Sequence, residues 1–130
     1  VEGAIGALMR SGVVDWLIVG ADRIAGNGDV ANKVGTYNAA LLAREHGVRT
    51  MVVAPSSTVD LSLVNGDGIE IEQRGSAEIV EVQGVELAPA GVETWNPVFD
   101  VTPSALVDLL VTDKGVVEPP FEGQLARLLG

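Results

Sequence analysis

The sequence predicts an α/β domain: a mainly parallel central sheet covered by helices, three layers in all. Residues 16–19 (Trp-Leu-Ile-Val) and 50–54 (Thr-Met-Val-Val-Ala) are short, unbroken apolar runs, the pattern of strands buried on both faces. Between them, residues 34–45 place Tyr37, Leu41 and Leu42 at helical spacing and stop before Gly47. Strand, helix, strand in this order is a βαβ unit, whose two strands run parallel through a right-handed crossover.

The remaining elements follow in chain order. Residues 1–10 carry Ile5, Leu8 and Met9 at helical spacing before Ser11-Gly12, which predicts a first helix. Residues 20–29 are polar and glycine-rich, so a long loop is expected after the first strand. Beyond Pro55, residues 56–67 read as irregular, and residues 69–72 and 79–82 as edge strands or a small hairpin. Residues 98–101 form another strand. Thr102-Pro103 then resembles a helix start, with threonine as cap and proline in the first turn, so a helix is expected from Ser104 to about Leu110. After Pro119-Pro120, residues 121–129 form an amphipathic piece that packs on the domain or meets a partner.

Composition bounds the chemistry. At 130 residues with 47% hydrophobic content and a mean hydropathy of +0.32, residues 1–130 are expected to form one domain with a real core. No apolar run reaches the roughly 18 residues of a membrane span, and residues 1–10 lack the basic start of a signal peptide, so a soluble cytoplasmic protein is expected. With no cysteine and only His46, a disulfide, a thiol nucleophile and a thiolate or histidine metal cluster are all excluded. The net charge of −10 argues against nucleic acid and anionic membranes as partners, though a local positive pocket would still hold a small anion.

In an open parallel sheet, ligands gather at the carboxyl ends of the strands, and Asp22 lies just past the first of them. An aspartate there also makes an Asx-type turn, and position alone leaves both readings open. Residues 26–33 lead into the helix, so free backbone amides, the positive end of the helix dipole and Lys33 are expected to converge as a phosphate seat. Residues 26–31 literally fit the G-x-G-x-x-[GA] pattern, but residues 20–25 separate them from their strand and Pro55 stands where an acidic residue would follow the second strand. That argues against a dinucleotide. Lys33 is followed by Val34 where a phosphate-binding loop needs Ser or Thr, which argues against nucleotide hydrolysis. His46 reads as a helix-end residue. Ser56, Ser57 and Thr58 read as a turn at the same sheet edge or as ligand contacts; Asp60, Asp100, Trp95 and Asn96 read as turn, cap and packing residues.

Three motifs are more specific. Val19-Gly20-Ala21-Asp22-Arg23-Ile24-Ala25 with Asn27-Gly28-Asp29-Val30-Ala31-Asn32-Lys33-Val34-Gly35-Thr36-Tyr37, then Ala54-Pro55-Ser56-Ser57-Thr58-Val59-Asp60-Leu61, then Asn96-Pro97-Val98-Phe99-Asp100-Val101-Thr102-Pro103, closely resemble the 5-methylthioribose-1-phosphate isomerase family. Its wider superfamily includes ribose-1,5-bisphosphate isomerases and the regulatory subunits of the exchange factor for translation initiation factor 2. The resemblance implies a Rossmann-like fold and the aldose-to-ketose conversion of 5-methylthioribose 1-phosphate to 5-methylthioribulose 1-phosphate in methionine salvage, without metal or organic cofactor. By motif, Asp22 matches the catalytic acid, and Asn32 and Lys33 match substrate-binding residues. An acid role calls for a raised pKa, which burial under a second domain would give.

The family's enzymes are roughly twice as long as this chain. They are homodimers whose N-terminal domain supplies an arginine-containing phosphate site and a reactive cysteine. The resemblance therefore implies that residues 1–130 are the C-terminal part of a larger two-domain enzyme and carry half of its site. Two other functions remain open: a non-catalytic sugar-phosphate or nucleotide sensor of the regulatory-subunit kind, and an assembly domain.

Overall fold

The computed structural model describes residues 1–130. In chain order its elements are α1 (Ile5–Arg10), β1 (Trp16–Val19), β2 (Arg23–Ala25), β3 (Val30–Lys33), α2 (Thr36–Glu45), β4 (Arg49–Val53), β5 (Val59–Asp60), α3 (Ala77–Val80), β6 (Glu81–Val82), β7 (Val85–Glu86), β8 (Phe99–Thr102), β9 (Leu109–Thr112), β10 (Gly115–Val117) and α4 (Gln124–Leu129), with short 3-10 turns between some of them.

The two apolar runs pair as expected. β1 and β4 are parallel, with Leu17 opposite Thr50 and Val19 opposite Val52, and α2 lies in the crossover between them. Small residues let that helix sit close: Ala39, Ala40 and Ala43 are buried. It stops at His46 and Gly47, where a positive φ of 68° turns the chain and the Val48 N–H closes back on Ala43 O at 2.8 Å. Met9 of α1, Ala43 and Val48 form one apolar cluster with Leu17 and Leu42 around it. Around Leu110, Val52 and Val107 a larger core gathers Ile24, Val30, Phe121 and Leu125, so the last segment packs on the domain through α4.

The third parallel strand departs from expectation. Residues 104–110 do not form a helix: Ser104–Leu106 is a single 3-10 turn, and β9 then joins β4 in parallel to give the order β1-β4-β9-β10, with β10 antiparallel at the edge. Leu109, Leu110, Val111 and Thr112 favour a pleated, buried setting over a helix. Asp108 fixes their start, since its carboxylate accepts from Thr50 N–H at 2.7 Å and its own N–H donates to Thr50 O at 2.9 Å. Thr102 is buried with an unpartnered hydroxyl, so it caps nothing.

The expected long loop at residues 20–29 is also corrected. β2 and β3 form a hairpin there, and they belong to a second sheet of order β5-β2-β3-β8, parallel between β5 and β2 and antiparallel elsewhere. Gly28, at φ 89°, sits under Phe121 in its turn. Residues 69–72 form no strand, whereas residues 81–86 do form a small exposed hairpin, β6 with β7. No helix is long and apolar enough to cross a membrane.

Candidate active site

β1 ends at Val19, and the chain crosses from the parallel sheet into the second one through residues 20–22. The Asp22 N–H donates to Ala31 O at 2.8 Å, yet Ala31 is the register partner of Arg23. Two consecutive residues thus face one, the arrangement of a β-bulge, a device that re-aims side chains beside active sites. Both Asp22 and Arg23 are exposed, and both line a cleft of about 530 Å³. That volume lies within the roughly 300–1,000 Å³ of small-molecule sites.

Charge is unevenly spread around this cleft. Asp60, Glu70 and Glu72 join Asp22 on its wall, against the one cation Arg23. Arg23 is itself held by Asp60, Nη1 to Oδ2 at 2.9 Å. Asp60 also accepts from the Ser62 hydroxyl and from Ser62 N–H, and these bonds, with Arg23 behind them, hold its carboxyl below the usual carboxylate range. The apolar part of the wall is Leu63, Ile69 and Phe99.

Lys33 pairs with Phe99 across β3 and β8, so the pleat sets both on one face, and Lys33 is exposed with no ion-pair partner within 4.0 Å. Asn32 pairs with Asp100 on the opposite face; its Nδ2 donates to Thr36 Oγ1 at 3.1 Å, and that hydroxyl donates to Lys33 O at 2.7 Å. The hairpin therefore brings Asp22 and Lys33 to one end of a short ladder, while the Asn32 side chain is directed to the start of α2. No hydrogen bond or ion pair links Asp22 to either residue.

The expected phosphate seat at the helix start is corrected. Residues 30–33 are strand, and the amides at the beginning of α2 already have an anion: Asp100 accepts from Gly35 N–H at 2.7 Å and from Tyr37 N–H at 3.0 Å. A carboxylate there satisfies the orphan donors and the helix dipole together. Lys33 is left as the cation of this corner. Ser56, one of the turn residues, is likewise engaged: its N–H and hydroxyl both donate to Asp113, whose carboxyl these bonds pull down.

Asp29, absent from the sequence reading of the site, is what fixes the hairpin in place. It accepts from Asn27 Nδ2 and Gly66 N–H at 2.9 Å each, and from Ser104 N–H at 2.8 Å. Burial pushes its carboxyl up, but the bonds from Asn27, Ser104 and Gly66 outweigh that and leave it below the ordinary carboxylate range. Asp29→Ala should cost about 2–3 kcal/mol, because it strands two backbone donors in a half-buried site. The pH dependence has a definite sign. A depressed folded pKa gives stability that is complete above the unfolded value of about 3.9 and is lost as pH falls through the folded one. Acid titration of unfolding free energy should therefore fall less steeply for Asp29→Asn than for the parent below pH 4; parallel curves would contradict the assignment.

A helix-flanked parallel sheet, with an aspartate just past its carboxyl edge on the wall of a ligand-sized cleft and an unpaired lysine nearby, defines a Rossmann-like α/β domain. The chain belongs to the Initiation factor 2 subunit family, whose family model matches residues 1–119. It is 60% identical over 119 residues to the methylthioribose-1-phosphate isomerase of Marinobacter nauticus, a match covering 92% of this chain and 34% of that protein. Among solved structures, the 5-methylthioribose 1-phosphate isomerase of Pyrococcus horikoshii superposes with a TM-score of 0.93 at 48% identity, over 98% of this chain and 36% of that one. The translation initiation factor eIF-2B subunit delta from A. fulgidus gives 0.91 at 37% identity, over 98% and 37%. The chain thus spans about a third of the relatives' length, rather than the half the resemblance implied.

Proposed function

We propose that this chain is the C-terminal, acid-bearing domain of a cytoplasmic, homodimeric aldose–ketose isomerase that converts 5-methylthioribose 1-phosphate to 5-methylthioribulose 1-phosphate. The observation that carries the reading is Asp22, set by the bulge into the wall of a ligand-sized cleft, within a chain 60% identical to a methylthioribose-1-phosphate isomerase. The reaction shifts hydrogen from one carbon of the sugar to the next and changes no atom count, so it needs positioned proton transfer and no external oxidant.

In this reading Asp22 is the proton donor, and Lys33 anchors the phosphate as a point charge. Asn32, whose side chain bonds Thr36 on the face opposite Lys33, acts as a positioning residue that holds the start of α2 beside the site. The rest of the protein covers the cleft and keeps water from the reacting sugar. The experiment that tests the reading is turnover of 5-methylthioribose 1-phosphate by the full-length protein and its Asp22 variants.

A non-catalytic sensor is the second reading, favoured by the 37% identity to the eIF-2B delta subunit. It is separated by calorimetry on the full-length protein: binding of the sugar phosphate without turnover would support it.

A further inference from the structure

We propose that Asn65-Gly66 is a modification site of this protein: Asn65 loses its side-chain amide spontaneously to become aspartate or isoaspartate, and Asp29 sets the rate by withholding the attacking nitrogen. The inference stands apart from the isomerase reading, because it depends on the backbone around Asp29 and on no ligand.

The chemistry needs only water. The Gly66 backbone nitrogen gives up its proton and bonds to Cγ of Asn65, while the bond from Cγ to the side-chain nitrogen breaks and ammonia leaves with that proton. Water then opens the cyclic imide at one of its two carbonyls. One opening yields aspartate on an unchanged backbone. The other yields isoaspartate, whose main chain runs through the former side chain and is longer by a methylene. A glycine after the asparagine favours the reaction, since it has no side chain to hinder the attack and leaves the backbone free to adopt the reactive conformation.

The chain has two such pairs, Asn27-Gly28 and Asn65-Gly66, and Asp29 holds a reacting group of each. In the first, both ends of the side-chain amide are engaged: Asn27 Nδ2 donates to the Asp29 carboxylate at 2.9 Å and Oδ1 accepts from Asp29 N–H at 3.0 Å. The Gly28 N–H is also occupied, by Ala25 O at 2.9 Å. In the second, Asn65 is exposed and only its Oδ1 is bonded, accepting from Asp67 N–H at 3.1 Å. What is held there is the nucleophile: Gly66 is buried, and its N–H donates to Asp29 Oδ2 at 2.9 Å. Deprotonating that nitrogen would set two negative charges in contact, so attack requires the bond to Asp29 to open first. Packing keeps the labile pair in the fold, because a Cβ on residue 66 would stand 2.5 Å from the Val101 side chain and 3.1 Å from Asp29 Cβ. Leu63 and Gly68, on either side of the pair, line the cleft, so isoaspartate at position 65 lengthens the wall segment between them.

The test ages the full-length protein in mildly alkaline buffer and follows Asn65 by peptide mass spectrometry, with the urea-unfolded chain as reference. The folded parent should lose the Asn65 amide at least about tenfold more slowly than the unfolded chain, and Asp29→Ala should accelerate the loss by about tenfold. Leu125→Ala, a core variant far along the chain, separates opening at Asp29 from global unfolding: at matched stability it should leave Asn65 slower than Asp29→Ala does. Hydrogen exchange on the parent needs no variant; the Gly66 and Ser104 amides, held by one carboxylate, should open together. If Asp29→Ala fails to fold, Asp29→Asn, which removes the charge, takes its place. An amide lost as fast in the folded parent as in urea, an Asp29 variant no faster than the parent or than Leu125→Ala, or an unprotected Gly66 amide would each overturn the proposal.

Discussion

Replacing Asp22 by Asn in the full-length protein is expected to lower kcat by about 10²–10⁴-fold, the range that a positioned general acid contributes. The amide keeps the size and hydrogen-bonding shape of the side chain but has no proton to give at neutral pH. The loss should be chemical and not structural. Asp22 is exposed and its carboxylate makes no hydrogen bond within the chain, so the melting temperature should stay within about 2 °C of the parent. Affinity for the sugar phosphate should also persist, since Lys33 is untouched. Steady-state kinetics decide it: a folded Asp22→Asn enzyme retaining more than a tenth of parental turnover would remove the proton-transfer role.

Gly28→Ala is expected to have the largest effect on stability. Two costs coincide there. An alanine Cβ would stand 2.6 to 2.7 Å from the Phe121 side chain, and Phe121 is only 2% exposed, locked between the hairpin and the core. The backbone is also left-handed, at φ 89°, which a side chain disfavours. Together these amount to about 2–5 kcal/mol, a fall in melting temperature on the order of 10 °C. A double-mutant cycle separates the terms. With Phe121→Ala in the background the steric part disappears and only the backbone part remains; an undiminished cost would show that the clash is not its source.

The parallel pair β1 and β4 was legible because both strands are apolar on every side and the helix between them keeps its period. The hairpin was not, although its signal was present: Asn27-Gly28 between Arg23-Ile24-Ala25 and Val30-Ala31-Asn32-Lys33 is strong turn chemistry. The glycines of residues 20–28 suggested a loop because the flanking strands are only three and four residues long. Thr102-Pro103 suggested a helix for a similar reason. A local start signal is easy to see, whereas the reason residues 109–112 extend instead is their burial beside β4, a contact more than fifty residues distant in the chain.

The site divides along the same line. Asp22 was singled out because it follows a strand end and matches the family's motif, and Asn32 and Lys33 because they match that motif beside an expected helix start. The cleft's other wall comes from residues 60–72 and Phe99, which nothing local ties to Asp22. Asp100, read as a capping residue, does cap, but it caps α2 from β8, across 65 residues of sequence, and so occupies the seat intended for phosphate.

Asp29 reaches 37 residues forward to Gly66 and 75 residues forward to Ser104. Bonds that close spans of this size form only after most of the chain has been gathered, so they belong to the native side of the folding barrier. The hairpin's clasp is therefore a brake on opening and no aid to collapse: in a chevron experiment Asp29→Ala should accelerate unfolding while the refolding limb stays in place, and a slowed refolding limb would put the clasp in the nucleus instead.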